Sequence, residues 1–314
     1  MANSTEEDYC ETDLSKFLIC ISLGGTLALT GLLIQSFIVA GNFSDWLKRR
    51  SITSADQIIT SIGISRIFYH TAFLLSLISM VCFPEIPEIV STLTEFIGNS
   101  STIANIWLST LLSIFFYIKI STFHNAFLLC LKTFILERVT YLIVAFVLLS
   151  LIYTSLNYFV LPMHFFSNGT HNHSLHYTEV TIILYVNILW IFFPFLVFFI
   201  VVLLLIILLC FHMRRMNNGG NVTGNTDTYH RIITFTILSS LVCAFYLLIN
   251  IFQMYMEILD MMWLYVIANI FPVVNSFLLI YVVMKLRNQF IVIVHCGTPH
   301  ECELNIWGMC SIHN

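Results

Sequence analysis

Charged residues are scarce in this sequence. Lysine, arginine, aspartate and glutamate together make up only 10% of the 314 residues, whereas hydrophobic residues make up 58%. Soluble domains carry about 25% charged residues, which cover the surface that faces water. The deficit excludes a soluble protein and predicts a chain that crosses a membrane several times.

The sequence also lacks the residues that transport and catalysis within a membrane need. No carboxylate partner lies within the predicted spans, which argues against a proton or ion transporter. The Gly-rich phosphate loop, HExxH, GxSxG and paired carboxylates on one membrane face are missing as well. We therefore predict that the protein is not an enzyme.

Long apolar segments are abundant, and seven of them meet or exceed the roughly 20 residues that a helix needs to cross a hydrocarbon core. Short alternating strands are absent from them. We predict an all-α membrane protein with a single domain, a seven-transmembrane-helix bundle over 17–284 between an extracellular N-terminus (1–16) and a cytoplasmic tail (285–314). The predicted spans are 17–43, 57–83, 97–119, 139–162, 180–211, 232–256 and 261–284.

The N-terminus has little positive charge. MANSTEEDYCETDLSK is acidic and has one basic residue, at its end, so it lacks the basic start of a cleavable signal peptide. We expect the first apolar segment, which begins at Phe17, to serve as its own signal anchor.

The few basic residues predict the orientation of the chain, because lysine and arginine favour cytoplasmic loops. With seven crossings, the basic loops share one side of the membrane. On the other side Lys16 is the only basic residue, and most of the acidic residues lie there. We therefore place the N-terminus outside and the C-terminus inside, in a multi-pass protein of the plasma membrane. The predicted inner basic residues include Lys48, Arg49, Arg50, Lys119, Lys132, Arg138, Arg214, Arg215, Arg231, Lys285 and Arg287.

The predicted outer loop between the fourth and fifth spans contains two kinds of polar motif. Two sequons predict glycosylation at Asn168 and Asn172, far from the bilayer surface. Four histidines in this loop are of a type that binds zinc or copper, but no cysteine or regularly spaced carboxylate completes a site, and a polar glycosylated loop is the better explanation. We predict no metal and no cofactor. These histidines are His164, His171, His173 and His176.

Arg66 is the only basic residue well inside a predicted span. A charge at membrane depth is costly and usually faces the bundle interior or a water-filled cavity. The alternative is that its side chain extends toward the inner surface, with only its stem in the membrane. We favour an interior position from which Arg66 controls the conformational state.

Four aromatic residues are predicted in the outer halves of the third, fifth, sixth and seventh spans: Trp107, Trp190, Tyr246 and Tyr265. Any one of them could be an anchor at the membrane interface. Four that converge on one bundle mouth would instead line an apolar ligand pocket with a few polar groups. We expect at least two of them to line such a pocket.

Several separate blocks of the sequence resemble the type 2 (bitter) taste receptors, a family of G-protein-coupled receptors. The first block is FIVAGNFSDWLKRRSITSADQIITSIGISR, which ends at Arg66. The most specific block runs from Trp107 through LSIFFYIKIS to FLLCLK, which ends at Lys132, because it replaces the Asp/Glu-Arg-Tyr motif of rhodopsin-like receptors. The last block is NSFLLIYVVMKLR in the seventh span.

Several positions depart from the family pattern. Gln35 stands where the family has Asn in the first span, and Asn275 and Val283 replace a His and an Asn in the seventh. Leu111 and Tyr265 fall at pocket positions where the family has an Asn and an acidic residue. We therefore expect a divergent member with a more apolar pocket.

The resemblance implies a receptor that binds small organic (bitter) compounds from the extracellular side and activates a heterotrimeric G protein of the gustducin/Gi type. Membrane lipids are a further partner, because basic residues near the inner surface attract anionic lipid; no nucleic acid is expected. The ligand-binding residues would be Trp107, Leu111, Trp190, Tyr246 and Tyr265. The switch and G-protein residues would be Arg66, Tyr117, Lys119, His124, Lys132, His212, Arg214, Arg215 and Lys285.

Two alternatives remain at this point, a vomeronasal type 1-like pheromone receptor and a small membrane transporter. The Asp-Trp of the first inner loop and LSIFFYIKIS favour the taste family. None of the nine cysteines lies in the second outer loop, so the disulfide that commonly ties this loop to the third helix in rhodopsin-like receptors cannot form. Cys10 and Cys82 are both predicted near the outer surface, and whether they pair stays open.

Overall fold

The computed structural model describes residues 2–48, 53–82, 87–121, 126–160, 192–211, 234, 237–245, 248, 261–283, 286–288 and 290–291. Within these ranges every regular element is a helix. Among the described residues, five helices are long and apolar enough to cross a membrane. The prediction of an all-α membrane protein is confirmed at this level.

Eight helices can be given bounds within the described residues. In chain order they are α1 (Ala2–Leu47), α2 (Ser54–Cys82), α3 (Glu88–Ile120), α4 (Ala126–Glu137), α5 (Val139–Ser155, continued by a π-helical turn at Leu156–Val160), α6 (Phe192–Phe211), α7 (237–245) and α8 (Met261–Val282). The short α4 lies between α3 and α5. Both α1 and α3 begin before the apolar segments predicted for them, because a helix continues through polar residues that lower the local hydropathy.

The bundle exposes apolar side chains and buries polar ones. Leu33 of α1 and Tyr141 of α5 are 72% and 74% exposed, whereas Gln35 and Arg66 are 1% and 2% exposed. This pattern is the reverse of that of a soluble protein, and lipid tails are the solvent that suits such a surface. The distribution of burial therefore supports the membrane assignment independently of hydropathy.

Small residues allow α1 and α2 to pack closely. The α1 backbone at Gly31 lies against the ring of His70 in α2. At Gly63 of α2, an added Cβ would lie 2.8 Å from Cγ2 of Val39 in α1. Membrane helices approach each other most closely where their interfaces carry glycine, alanine or serine. α1 also packs against α8, α2 against α3, and α3 against α5.

We expect Gly31→Ala to destabilise the protein, because the new methyl group overlaps the His70 ring. Overpacking a tight interface costs about 1–3 kcal/mol. Thermal unfolding of the detergent-purified protein would measure the loss. Gly25→Ala is the matched control on the same helix, since its Cβ meets only Cδ1 of Leu77 at 4.0 Å. Equal melting temperatures for the two variants would contradict this account of the α1–α2 contact.

Candidate functional site

A cavity of about 540 Å³ opens between α1, α2, α3 and α8, at the end of the bundle where α3 and α8 begin. We call this end the upper end and the cavity the upper cavity. Its volume is within the roughly 300–1,000 Å³ of pockets that hold drug-sized ligands. The wall combines apolar and polar side chains, and its described residues are Cys20, Ile21, Tyr69, Ala72, Phe73, Ser76, Leu77, Met80, Thr94, Glu95, Gly98, Asn99 and Val266.

Tyr69 belongs to the upper cavity and also to a small void of about 20 Å³ deeper in the bundle. Arg66, one turn away on α2, lines this void too. Arg66 further lines a third void, of about 40 Å³, together with Asn275 of α8 and Ser239 of α7. Tyr69 and Arg66 therefore form a continuous path of contacts from the upper cavity to the middle of the bundle.

The Arg66 guanidinium donates hydrogen bonds to two other helices, and a third helix joins through a shared hydroxyl. Its Nε donates to Oδ1 of Asn105 in α3 at 3.1 Å, and its Nη1 donates to Oγ of Ser276 in α8 at 2.8 Å. Gln35 of α1 donates to the same Ser276 hydroxyl, which in turn donates to the carbonyl oxygen of Pro272. We call Gln35, Arg66, Asn105 and Ser276 the Arg66 cluster.

All four side chains of the Arg66 cluster are buried, and the three members other than the arginine are neutral. A buried charge is tolerated only where polar groups replace its water, and hydrogen bonds to a charged group are stronger than neutral ones. The cluster therefore joins α1, α2, α3 and α8 at one point. The structure places Arg66 in the interior, as expected; its role as a switch stays a prediction.

A second polar contact joins α7 to α8. Oγ of Ser239 donates to Oδ1 of Asn275 at 3.0 Å, and both residues are buried. Asn275 stands where the resemblance leads one to expect a histidine. An amide oxygen and an imidazole nitrogen can both accept a hydroxyl proton, so this departure preserves the contact.

Trp107 packs between helices rather than on the wall of the upper cavity. Its ring stacks on Phe146 of α5, with centroids 5.0 Å apart, and lies 6.2 Å from the ring of Phe193 in α6. One turn further along α3, the hydroxyl of Thr110 donates to the carbonyl oxygen of Pro194 at 3.2 Å. This face of α3 is therefore occupied by α5 and α6.

Leu111 is 2% exposed and belongs to the hydrophobic core with Ile58 and Leu108. It does not line the upper cavity, and neither does Trp107. The backbone of Tyr265 lies in α8, next to Val266 of the cavity wall. Trp190 and Tyr246 lie outside the described residues. The ligand-binding role of these five residues stays a prediction.

Sequence reasoning missed the α3 wall of the cavity. The third span was predicted to begin at residue 97, but α3 begins at Glu88, directly after Pro87. Thr94 and Glu95 were therefore assigned to a loop. Proline followed by an acidic residue in the first turn is a typical helix start, because the anionic side chain interacts favourably with the helix N-terminus. That signal could have extended the prediction.

The opposite end of α3 carries two of the predicted coupling residues. Lys119 lies in the last turn and is exposed, with its Nζ 6.0 Å from the centroid of the Phe115 ring. Tyr117 precedes it, and its carbonyl oxygen accepts the Ser121 N–H that ends the helix. Lys132 of α4 donates from Nζ to the carbonyl oxygen of Ser121 at 2.9 Å, which ties α4 to the C-terminal end of α3.

The described residues bear on the possible Cys10–Cys82 disulfide and on metal binding, and several other predicted residues lie outside them. Cys82 is a free thiol, so the structure contains no Cys10–Cys82 bridge. The described residues include no group of three or more His, Cys, Asp or Glu side chains that could hold a metal ion. Outside the described ranges lie His124, His212, Arg214, Arg215 and Lys285, the glycosylation residues Asn168 and Asn172, and the four loop histidines.

Comparison with known proteins assigns the family. Residues 13–298 match the taste receptor protein (TAS2R) family. The chain belongs to the type 2 taste receptor family. Taste receptor type 2 member 50 of human and of gorilla are each 31% identical to it over 285 residues, which cover 85% of this chain and 93% of the relative. Member 123 of mouse is 37% identical over 133 residues, 41% of this chain and 38% of that receptor. The predicted family is confirmed.

In this taste receptor, we expect Ser276→Ala to destabilise the bundle, because it removes the hydroxyl shared by Arg66 and Gln35. A hydrogen bond to a charged group contributes about 1.5–3 kcal/mol. Ser79→Ala is the control, since Ser79 is partly accessible and bonds only the carbonyl oxygen of Leu75 on its own helix. Thermal unfolding in detergent would compare them, and a loss below about 0.5 kcal/mol for both would show that the cluster contributes nothing to stability.

Proposed function

We propose that the protein is a bitter taste receptor, a seven-helix G-protein-coupled receptor of the plasma membrane with its N-terminus outside and its C-terminus inside. It binds small organic bitter compounds from the extracellular side and activates a heterotrimeric G protein of the gustducin/Gi type. The observation that carries this proposal is the family match over residues 13–298. Similarity to type 2 taste receptors over 85% of the chain favours it over a pheromone receptor or a transporter.

The upper cavity is the agonist site in this proposal. It is large enough for a drug-sized molecule, and its wall combines aromatic, aliphatic and a few polar residues, as in most small-molecule sites. The predicted orientation turns this end of the bundle toward the extracellular side. Trp107, Leu111, Trp190, Tyr246 and Tyr265 are the rival lining, and the packing of the Trp107 ring against Phe146 and Phe193 weakens the case for it.

Tyr69 and Arg66 would carry the signal from the agonist. An agonist that fills the upper cavity contacts or displaces Tyr69, whose ring also borders the void at Arg66. A ligand shifts a conformational equilibrium only if it binds one of the two states more tightly. Any movement of Tyr69 that changes the Arg66 contacts alters the packing of four helices at once, since the Arg66 cluster joins them.

α8 has a built-in point of bending beside the Arg66 cluster. Pro272 lies inside this helix, where proline removes a backbone hydrogen bond and produces a kink. The Ser276 hydroxyl donates to the Pro272 carbonyl oxygen and accepts from Arg66. A change at Arg66 would therefore reach the segment of α8 most able to bend.

The opposite end of the bundle would bind the G protein. The proposed contact residues there are Tyr117, Lys119 and Lys132, with His124, His212, Arg214, Arg215 and Lys285 from outside the described ranges. Lys119 is exposed and so available to a partner, whereas Lys132 holds the end of α3. Attraction of such basic residues to anionic lipid also contributes, at about 1 kcal/mol each.

We expect Gly98→Leu to abolish the agonist response, because Gly98 lines the upper cavity and a leucine side chain would fill part of it. The experiment expresses the chain with a chimeric Gα subunit and records calcium against a panel of bitter compounds. Gly98→Ala is the matched control: its Cβ meets only Cβ of Ala72 at 3.8 Å, an ordinary contact, so the response should persist.

Cell-surface labelling of every variant separates lost binding from lost folding. A full response from Gly98→Leu at normal surface level would exclude the upper cavity as the agonist site. Trp107→Ala tests the rival lining: in the present proposal it lowers the surface level, since the Phe146 stack is lost, and leaves the concentration dependence unchanged. Calcium-independent uptake or current in place of any G-protein signal would contradict the receptor assignment itself.

The two lysines at the end of α3 should behave differently. We expect Lys119→Ala to reduce G-protein activation severalfold at unchanged thermal stability, because the exposed side chain contacts the partner. Lys132→Ala should reduce both, since Lys132 also donates to the Ser121 carbonyl oxygen. Nucleotide exchange on purified Gα and thermal unfolding measure the two effects. Normal exchange with Lys119→Ala would remove this residue from the coupling surface.

A further inference from the structure

Glu95 is the only charged residue among the described residues that line the upper cavity. It lies on α3 one turn before Asn99 and is exposed, so a molecule in the cavity can reach it. The other described wall residues are neutral, and Tyr69 and Phe73 add two aromatic rings. The cavity therefore combines one carboxylate with an otherwise uncharged wall.

A carboxylate in such a place discriminates between ligands by charge. Attraction between opposite charges is several times larger near low-dielectric protein than in bulk water. A cationic ammonium can also donate a charge-assisted hydrogen bond to the carboxylate and contact the face of an aromatic ring. A neutral apolar ligand, by contrast, makes neither of these contacts.

We propose that Glu95 makes this receptor selective for small organic cations, that is, protonated or quaternary amines with an apolar body. This inference rests on the proposed function of the upper cavity as the agonist site. The ammonium group lies at the Glu95 carboxylate. The apolar body extends deeper, along Phe73 and Val266 toward Tyr69. A cavity of about 540 Å³ accommodates such a molecule.

The depth of the cavity explains why charge at one end would affect signalling. Tyr69 lies on the cavity wall and at the void beside Arg66, so only a ligand whose body reaches Tyr69 can influence the Arg66 cluster. Glu95 fixes the position of the cationic end, and the length of the apolar body then decides whether Tyr69 is contacted. Selectivity therefore concerns both charge and length.

The test uses arylalkyl trimethylammonium ions of increasing chain length, each paired with its neutral tert-butyl isostere. A permanent charge removes any dependence on ligand protonation. Calcium responses are recorded in cells that express wild-type receptor, Glu95→Gln, Glu95→Asp or Glu88→Gln with a chimeric Gα subunit. Glu88→Gln is the matched control. It removes the same charge from the same helix, but Glu88 does not line the cavity.

We expect the wild-type receptor and Glu88→Gln to respond to the cations at concentrations at least about tenfold lower than to their isosteres, since a charge-assisted contact is lost in the neutral partner. Glu95→Gln should lose this preference at unchanged surface level, and Glu95→Asp should retain most of it. A preference for neutral isosteres in the wild type, or a cation preference that survives in Glu95→Gln, would overturn the proposal.

The outcomes also separate this proposal from the proposed function. If the receptor responds only to neutral compounds and loses that response in Gly98→Leu, the upper cavity is the agonist site but the proposed charge selectivity is wrong. A receptor that is silent to every compound at normal surface level contradicts both proposals. Misfolding of Glu95→Gln is recognised by its surface level, and in that case Glu95→Ala at normal surface level replaces it: a cation preference that survives in Glu95→Ala overturns the role of the carboxylate.

Discussion

The hydrogen bonds of the Arg66 guanidinium are the constraint on which the rest of the bundle depends. An arginine at membrane depth must find polar groups, because lipid supplies none. Gln35, Asn105 and Ser276 supply them from three different helices, either directly to Arg66 or through the shared Ser276 hydroxyl. One charged side chain therefore helps to fix the relative positions of α1, α2, α3 and α8. The close approach at Gly31 and Gly63 lets α1 come near enough to contribute Gln35.

The same cluster lies between the proposed agonist site at the upper end of the bundle and the proposed G-protein surface at the opposite end. Above it, Tyr69 separates the upper cavity from the void at Arg66; below it, the third void extends to Ser239 and Asn275. Because its partners among the described residues are neutral, the hydrogen bonds of the guanidinium can be exchanged without breaking an ion pair, which would cost far more in a membrane interior. Such a site suits a protein that changes between two packings, and Pro272 inside α8 adds a point where this helix can bend.

The candidate site was only partly predictable, for a specific geometrical reason. Position in a hydrophobic segment indicates the depth of a residue in the membrane but not which neighbouring helix it faces. Trp107 is an example: its ring faces α5 and α6, where Phe146 and Phe193 pack against it, rather than the upper cavity. Glu95 is the converse case. The predicted span begins at residue 97, just after this charged residue, whereas α3 begins two turns before it, at Glu88. A span defined by hydropathy therefore excluded the residue that gives the cavity its charge.

By itself, the sequence determined that this is a helical membrane protein of the type 2 taste receptor family and that Arg66 needs an interior environment. These conclusions depend on composition, on local motifs and on the cost of one charge, all of which can be read along the chain. Only the tertiary structure decided which groups meet, such as Gln35 and Ser276, which are 241 positions apart. It also decided that Tyr69 and Glu95 share a cavity. The physical reason is that hydrogen-bond partners and cavity walls come from helices remote in sequence, so their identity depends on how the helices are rotated and packed.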